Sequence, residues 1–138
     1  MAARTNMSLA TIFAGFAFNN PGTTSLHAVS YYLTTHFGLP HGSACAIAMP
    51  AFMRFNAEKE KHKLLDIAKA MGCATLEEAA EFAGRLLREM NVPTRLREIG
   101  ASEKDLDAIV KDAMRPNMEK NPRKVNEAGL RKLLLGIL

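Results

Sequence analysis

Residues Thr24–Asn56 read TSLHAVSYYLTTHFGLPHGSACAIAMPAFMRFN. Two histidines, His27 and His41, each stand near the start of an apolar, small-residue segment, and a tight Phe37-Gly38-Leu39-Pro40 turn separates those segments. A cap at Thr24 or Ser25 predicts a helix running to about Thr35. After the turn, a second helix is expected from His41 or Gly42. Its opening residues Ser43 to Ala48 are small and apolar, so it should be deeply buried with close neighbours. Pro50 falls inside the pattern, where it must kink that helix or begin a new one that reaches Asn56.

Helical periodicity extends outward in both directions. Upstream, Leu9, Ile12, Phe13, Phe16 and Phe18 share one broad face of a helix from about Ala3 to Phe18. A single Arg followed by small apolar residues superficially suggests a signal peptide, but the shared face favours a packed helix. Gly15, between Ala14 and Ala17, suggests a close helix crossing. Asn19-Asn20-Pro21-Gly22 ends the segment.

Downstream, a helix from Glu58 to Met71 should turn Leu64, Leu65, Ile67, Ala68 and Met71 inward, with Gly72 as its C-cap. Thr75 and Glu78 form a capping-box pattern opening a helix to about Met90. Asn91-Val92-Pro93-Thr94 breaks the chain, and a short helical turn is expected at Leu96 to Ile99. Ser102 to Asp105 is another start signal, for a helix to about Met114. Asn117 to Arg123 reads as a polar loop containing Pro122. A last helix from Asn126 should pack Leu130, Leu133, Leu134 and Ile137. Strand signals are nearly absent. The expected fold is therefore all-α, a single domain over residues 1–138 built as a bundle of about seven or eight helices.

Composition narrows the function classes. The 138 residues are 48% hydrophobic and 23% charged, as expected for a chain that builds a core. The net charge of +4 is spread over Lys and Arg interleaved with Glu, as in Glu58 to Lys63, and forms no one-signed stripe. Nucleic-acid binding is therefore not expected. No apolar run approaches the roughly 20 residues that span a bilayer, so no membrane association is expected. Cys45 and Cys73 form no CxxC pair and no disulfide framework, which favours a cytoplasmic, reducing setting. The glycine-rich phosphate loops and the GxSxG nucleophile elbow are missing.

The histidines are the remaining chemistry. His27 has Tyr31 one turn later on the same face. His41 stands in a Pro-His-Gly where a helix begins. Histidine is the commonest metal ligand, and ligand pairs on adjacent helices are a normal way to build a site in a helical core. The spacing alone leaves two readings open: core or capping residues, which is the commoner role, and metal ligands. His36, beside the turn, faces solvent, makes a hydrogen bond or walls a pocket. His62 lies on a charged face and reads as a surface residue. Cys45 is four residues after His41, so a thiol nucleophile with an imidazole base is conceivable. It would need an exposed, activated thiolate, whereas the segment reads as buried.

One resemblance now adds to these readings. His27-Ala28-Val29-Ser30 through Phe37-Gly38-Leu39-Pro40-His41-Gly42, then Met49-Pro50 and Met53-Arg54-Phe55-Asn56, resembles the second signature of the iron-containing alcohol dehydrogenases. Ala3-Arg4, Met7 and Ala14 to Asn19 are similar to that family's preceding helix, and Asn121-Pro122-Arg123 to its C-terminal loop. The resemblance covers essentially the whole chain.

It implies an N-terminal α/β domain that binds NAD(P), an all-helical C-terminal domain, and a divalent metal between them held by an Asp and three His. The metal is usually iron (Fe2+), and zinc (Zn2+) is the alternative. It acts as a Lewis acid on the oxygen of a small alcohol or aldehyde substrate during hydride transfer with the nicotinamide. His27 and His41 match the last two ligand positions. The family often has a further histidine one turn after the first. Tyr31 stands there, a candidate catalytic residue whose presence departs from the usual proton-transfer route and hints at a subgroup with unusual aldehyde substrates. His36 is a candidate substrate-pocket residue.

The chain starts after the positions of the Asp and the first His ligand and carries no nucleotide-binding domain. The expectation is thus the C-terminal domain of such an enzyme, inactive alone, with the N-terminal nucleotide-binding domain as its partner and a homodimer as a possible assembly. Two other readings compete: a non-catalytic helical interaction module derived from that fold, and a stand-alone metal-binding protein completed by a second copy or by His36.

Overall fold

The computed structural model describes residues 1–138. Helix α1 spans Ala2–Asn19, α2 Ser25–Phe37, α3 His41–Ala46, α4 Met49–Ala57, α5 Lys61–Ala70 and α6 Leu76–Glu89. Two 3-10 turns, Leu96–Ile99 and Glu103–Asp105, lead into α7 Leu106–Ala113. The single turn α8, Pro116–Glu119, and α9, Glu127–Leu135, complete the chain. There are no strands. Apart from the one-turn α8, eight helices remain, in agreement with the seven or eight expected.

Helix α2 is central and packs against α3, α7 and α8, while α7 also packs on α9. Their shared core includes Leu33, Ile47, Phe52, Leu106, Ile109 and Leu130, each almost fully buried. Burying one such side chain stabilises the fold by about 1.5–3 kcal/mol. Helix α6 joins the bundle through α4 and α5. Its inner face is Ala79, Ala80, Ala83 and Leu87, small enough for close approach.

The local signals account for most boundaries. The Thr75 hydroxyl accepts from the Glu78 N–H at 3.1 Å, and Glu78 Oε2 accepts from the Ala74 N–H at 2.8 Å. The capping box is thus displaced by one residue on its return bond. At Ser102 both bonds of the box to Asp105 are present. Pro50 begins α4 rather than kinking α3, because its missing N–H falls where a helix start leaves donors unpaired anyway.

A buried polar hub holds the ends of this bundle together. Asn121, 2% exposed, accepts from Ser25 Oγ at 2.7 Å and exchanges bonds with Asn56 at 2.7 and 3.2 Å. It also donates to the Arg123 carbonyl at 2.7 Å. The first residue of α2, the end of α4 and the C-terminal loop are thereby fastened at one point.

Four expectations fail. Helix α1 forms but packs on nothing: it has no buried residue, and Phe13 and Phe16 are 66% and 73% exposed. Its apolar face has no partner within these 138 residues. Gly15 accordingly makes no crossing, for a Cβ there would meet nothing within 4 Å. Ile67 is 48% exposed rather than inward, because α5 meets the bundle through Ala68. The expected polar loop Asn117 to Arg123 begins inside α8, whose Met118 is drawn into the core.

Candidate metal centre

The site is built at the corner between α2 and α3. Gly38 ends α2 in the left-handed region, φ 66°, where a side chain would be strained, and its N–H bonds the Leu33 carbonyl. Leu39 is buried and anchors the reversal. Pro40 caps α3, and its carbonyl accepts from the Ala44 N–H at 2.9 Å. His41 is therefore delivered as the first residue of α3, facing back toward the first turn of α2. There the His27 ring lies 5.4 Å from the His41 ring, centroid to centroid, tilted by 60°.

The structure thus brings His27 and His41 together. It adds Cys45, one turn after His41 on the same face of α3. Cys45 Sγ is 3.7 Å from His41 Nε2, and one donor atom from each of His27, His41 and Cys45 lies within 4.8 Å of the others. Cys45 is half-buried rather than buried, and neither it nor Cys73 is in a disulfide. Two imidazole nitrogens and a thiol suit a borderline-soft divalent cation, so the donor set fits a transition metal.

Electrostatics favour the ligating form of His27. Burial holds its pKa below the ordinary imidazole value of 6.5, and the neighbouring His41 lowers it further. A neutral ring has a free lone pair for a metal.

Tyr31 borders the cluster, its ring nearly parallel to that of His41 at 6.3 Å and 17°. The Arg115 guanidinium sits 5.3 Å from the Tyr31 ring centre and is itself held by Asp112. Sequence reading missed Arg115, because no local signal links residues that far apart. The i, i+4 spacing from His41 was the available signal for Cys45.

His36 lies apart from the cluster. It is exposed and stacked on Tyr32 at 3.8 Å and 8°, with Nδ1 2.9 Å from the Thr35 hydroxyl. His62 is exposed on α5. The two roomiest clefts, of about 480 and 630 Å³, are also elsewhere, around Arg54, Arg88 and Arg95 and around Phe55 and Lys132. The histidine pair instead occupies an open face, where His41 is exposed. The candidate centre therefore rests on its converging donor atoms and not on cleft size.

The fold is all-helical, and its helix–turn–helix corner presents paired imidazoles. The C-terminal domain of the Fe-containing alcohol dehydrogenase family matches residues 1–138 in full, and the chain belongs to that family. It is 36% identical over 136 residues to the 1,3-propanediol dehydrogenase of Citrobacter freundii, covering 92% of this chain and 35% of that protein. It is 34% identical over 116 residues to the lactaldehyde reductase of Escherichia coli K12, covering 78% of this chain and 30% of that protein. Among solved structures, the sulfoacetaldehyde reductase of Bifidobacterium kashiwanohense in complex with NAD+ superposes with a TM-score of 0.90 at 29% identity, covering 99% of this chain and 36% of that one. The chain therefore spans about a third of the length of the relatives it matches. No helix is long and apolar enough to cross a membrane.

Proposed function

We propose that this chain is the metal-binding helical part of an NAD(P)-dependent dehydrogenase that interconverts a small alcohol and its aldehyde. His27 and His41 supply two ligands to a divalent metal, iron or zinc. The observation that carries this reading is the convergence of the two rings at the α2–α3 corner. When bound, the metal supplies Lewis-acid polarisation of the substrate oxygen.

The chain's own residues do the rest. The α2–α3 turn brings the two imidazoles together, and the burial of His27, with His41 beside it, favours its neutral ring. Tyr31, whose ring lies nearly parallel to that of His41, is the proposed group that passes a proton to or from the substrate oxygen. His36 is kept only as a residue of the outer pocket wall. The exposed side of His41 and the bare apolar face of α1 need covering by a nucleotide-binding domain, which would exclude water from hydride transfer. Alone, the chain is proposed to be inactive. The free cysteines favour a reducing, cytoplasmic setting, and a homodimer is compatible with this reading.

A chimera tests this. The C-terminal third of the Citrobacter freundii relative is replaced by this chain, and NAD-dependent alcohol oxidation is measured. Turnover that His41→Ala abolishes and Tyr31→Phe lowers supports the reading. A folded, metal-loaded chimera with no turnover on any small alcohol contradicts it. A second reading, an interaction module without catalysis, draws on the exposed face of α1. It expects His27→Ala and His41→Ala to leave partner binding intact.

A further inference from the structure

The third donor at the histidine pair is a thiol. Zinc takes nitrogen at about 2.05 Å and sulfur at about 2.3 Å in tetrahedral geometry, which sets the two donors about 3.6 Å apart. The Cys45 Sγ to His41 Nε2 separation is 3.7 Å, with no metal needed to hold it. His27 approaches the pair from a different helix, with all three donor atoms within 4.8 Å of one another, so a small side-chain adjustment would close the set around a cation. Cys45 is a free thiol, half-buried rather than enclosed, and its neighbour His41 is exposed.

The same distance would suit a thiol nucleophile beside an imidazole base. Such a pair needs a third group, a carboxylate or amide, to orient the imidazole. No carboxylate belongs to this cluster, and the neighbour His41 does have is a second imidazole. A second imidazole disfavours an imidazolium–thiolate pair and favours shared binding of a cation.

We infer that Cys45 is a metal donor, so that this chain holds a cation through a His27–His41–Cys45 set with an open coordination position, selective for zinc over ferrous iron. The inference rests on the proposed role of His27 and His41 as ligands. Thiolate donors favour the softer cation. Binding replaces the S–H bond with an S–metal bond, and the released proton goes to solvent.

Cobalt(II), a spectroscopic stand-in for zinc, tests the inference on the purified chain, beside Cys45→Ser, Cys73→Ser, His27→Ala and His41→Ala. Circular dichroism establishes that each variant is folded. The expected result is one cobalt per chain with a thiolate-to-cobalt charge-transfer band in the near ultraviolet. Cys45→Ser should lose the band and bind zinc at least tenfold more weakly, with ferrous affinity changed far less. Cys73→Ser should match the parent. Cobalt bound through both histidines without the band, or full zinc affinity in Cys45→Ser, would overturn the thiol donor and leave the two-histidine reading standing. Binding that survives loss of either histidine, or no binding at all, would overturn both.

Discussion

Replacing Asn121 with alanine removes the side chain that fastens the start of α2, the end of α4 and the C-terminal loop. Four hydrogen bonds disappear at once. Ser25 Oγ, in a residue only 1% exposed, is left without a partner, while half-buried Asn56 can recruit water. With water taking over the two bonds of Asn56, what remains is the stranded Ser25 hydroxyl, about 2 kcal/mol, and the bond to the Arg123 carbonyl, about 1 kcal/mol, so the total is about 3 kcal/mol. Urea unfolding followed by far-ultraviolet circular dichroism reads this directly. With a slope of about 2 kcal/mol/M, the midpoint should fall by about 1.5 M at unchanged slope. Ser25→Ala alone should cost about 1 kcal/mol, because Asn121 Oδ1 keeps its bond from Asn56. The double variant should lose less than the sum of the two, since no hydroxyl is then stranded. A midpoint shift in Asn121→Ala below about 0.5 M, which is about 1 kcal/mol, would refute the reasoning and mean that water replaces the hub.

Other expectations are more local. His27, with its pKa held below 6.5 by burial and by His41, binds a proton more readily unfolded than folded. The metal-free chain should therefore lose stability as pH falls from 6.5 through the lowered value, and His27→Gln should flatten that part of a pH series of urea melts. Phe13→Ser with Phe16→Ser, on the bare face of α1, should leave the unfolding free energy within about 0.5 kcal/mol. It should also reduce self-association by light scattering, because the apolar patch is removed. Thr75→Ala removes the N-cap bond of α6 and should cost about 1 kcal/mol in the same unfolding assay.

The central corner was legible because its punctuation is strong. Gly38-Leu39-Pro40 stops one helix and starts the next, and a stop of that kind between two histidine-bearing segments leaves little freedom in where the rings go. The caps at Thr75, Ser102 and Asn126 are chemical signals confined to four residues, and each stands at a helix start. Helix α1 was misjudged for a physical reason. The spacing of Leu9, Ile12, Phe13 and Phe16 says that a face is apolar, not that a partner exists within the same chain. Ile67 shows the same limit, because only the approach of α6 decides which residues of α5 turn inward. Cys45 read as a small core residue, since a buried and a half-buried cysteine look alike in a run of alanines. Arg115 reaches Tyr31 only through the packing of α7 and α8 on α2.

The most direct measurement is a calorimetric titration of the purified chain with zinc and with ferrous iron, beside His27→Ala and His41→Ala. Binding of one cation per chain that either substitution abolishes, in folded variants, is the expected result. Binding that neither substitution weakens would contradict the assignment of these two histidines as ligands.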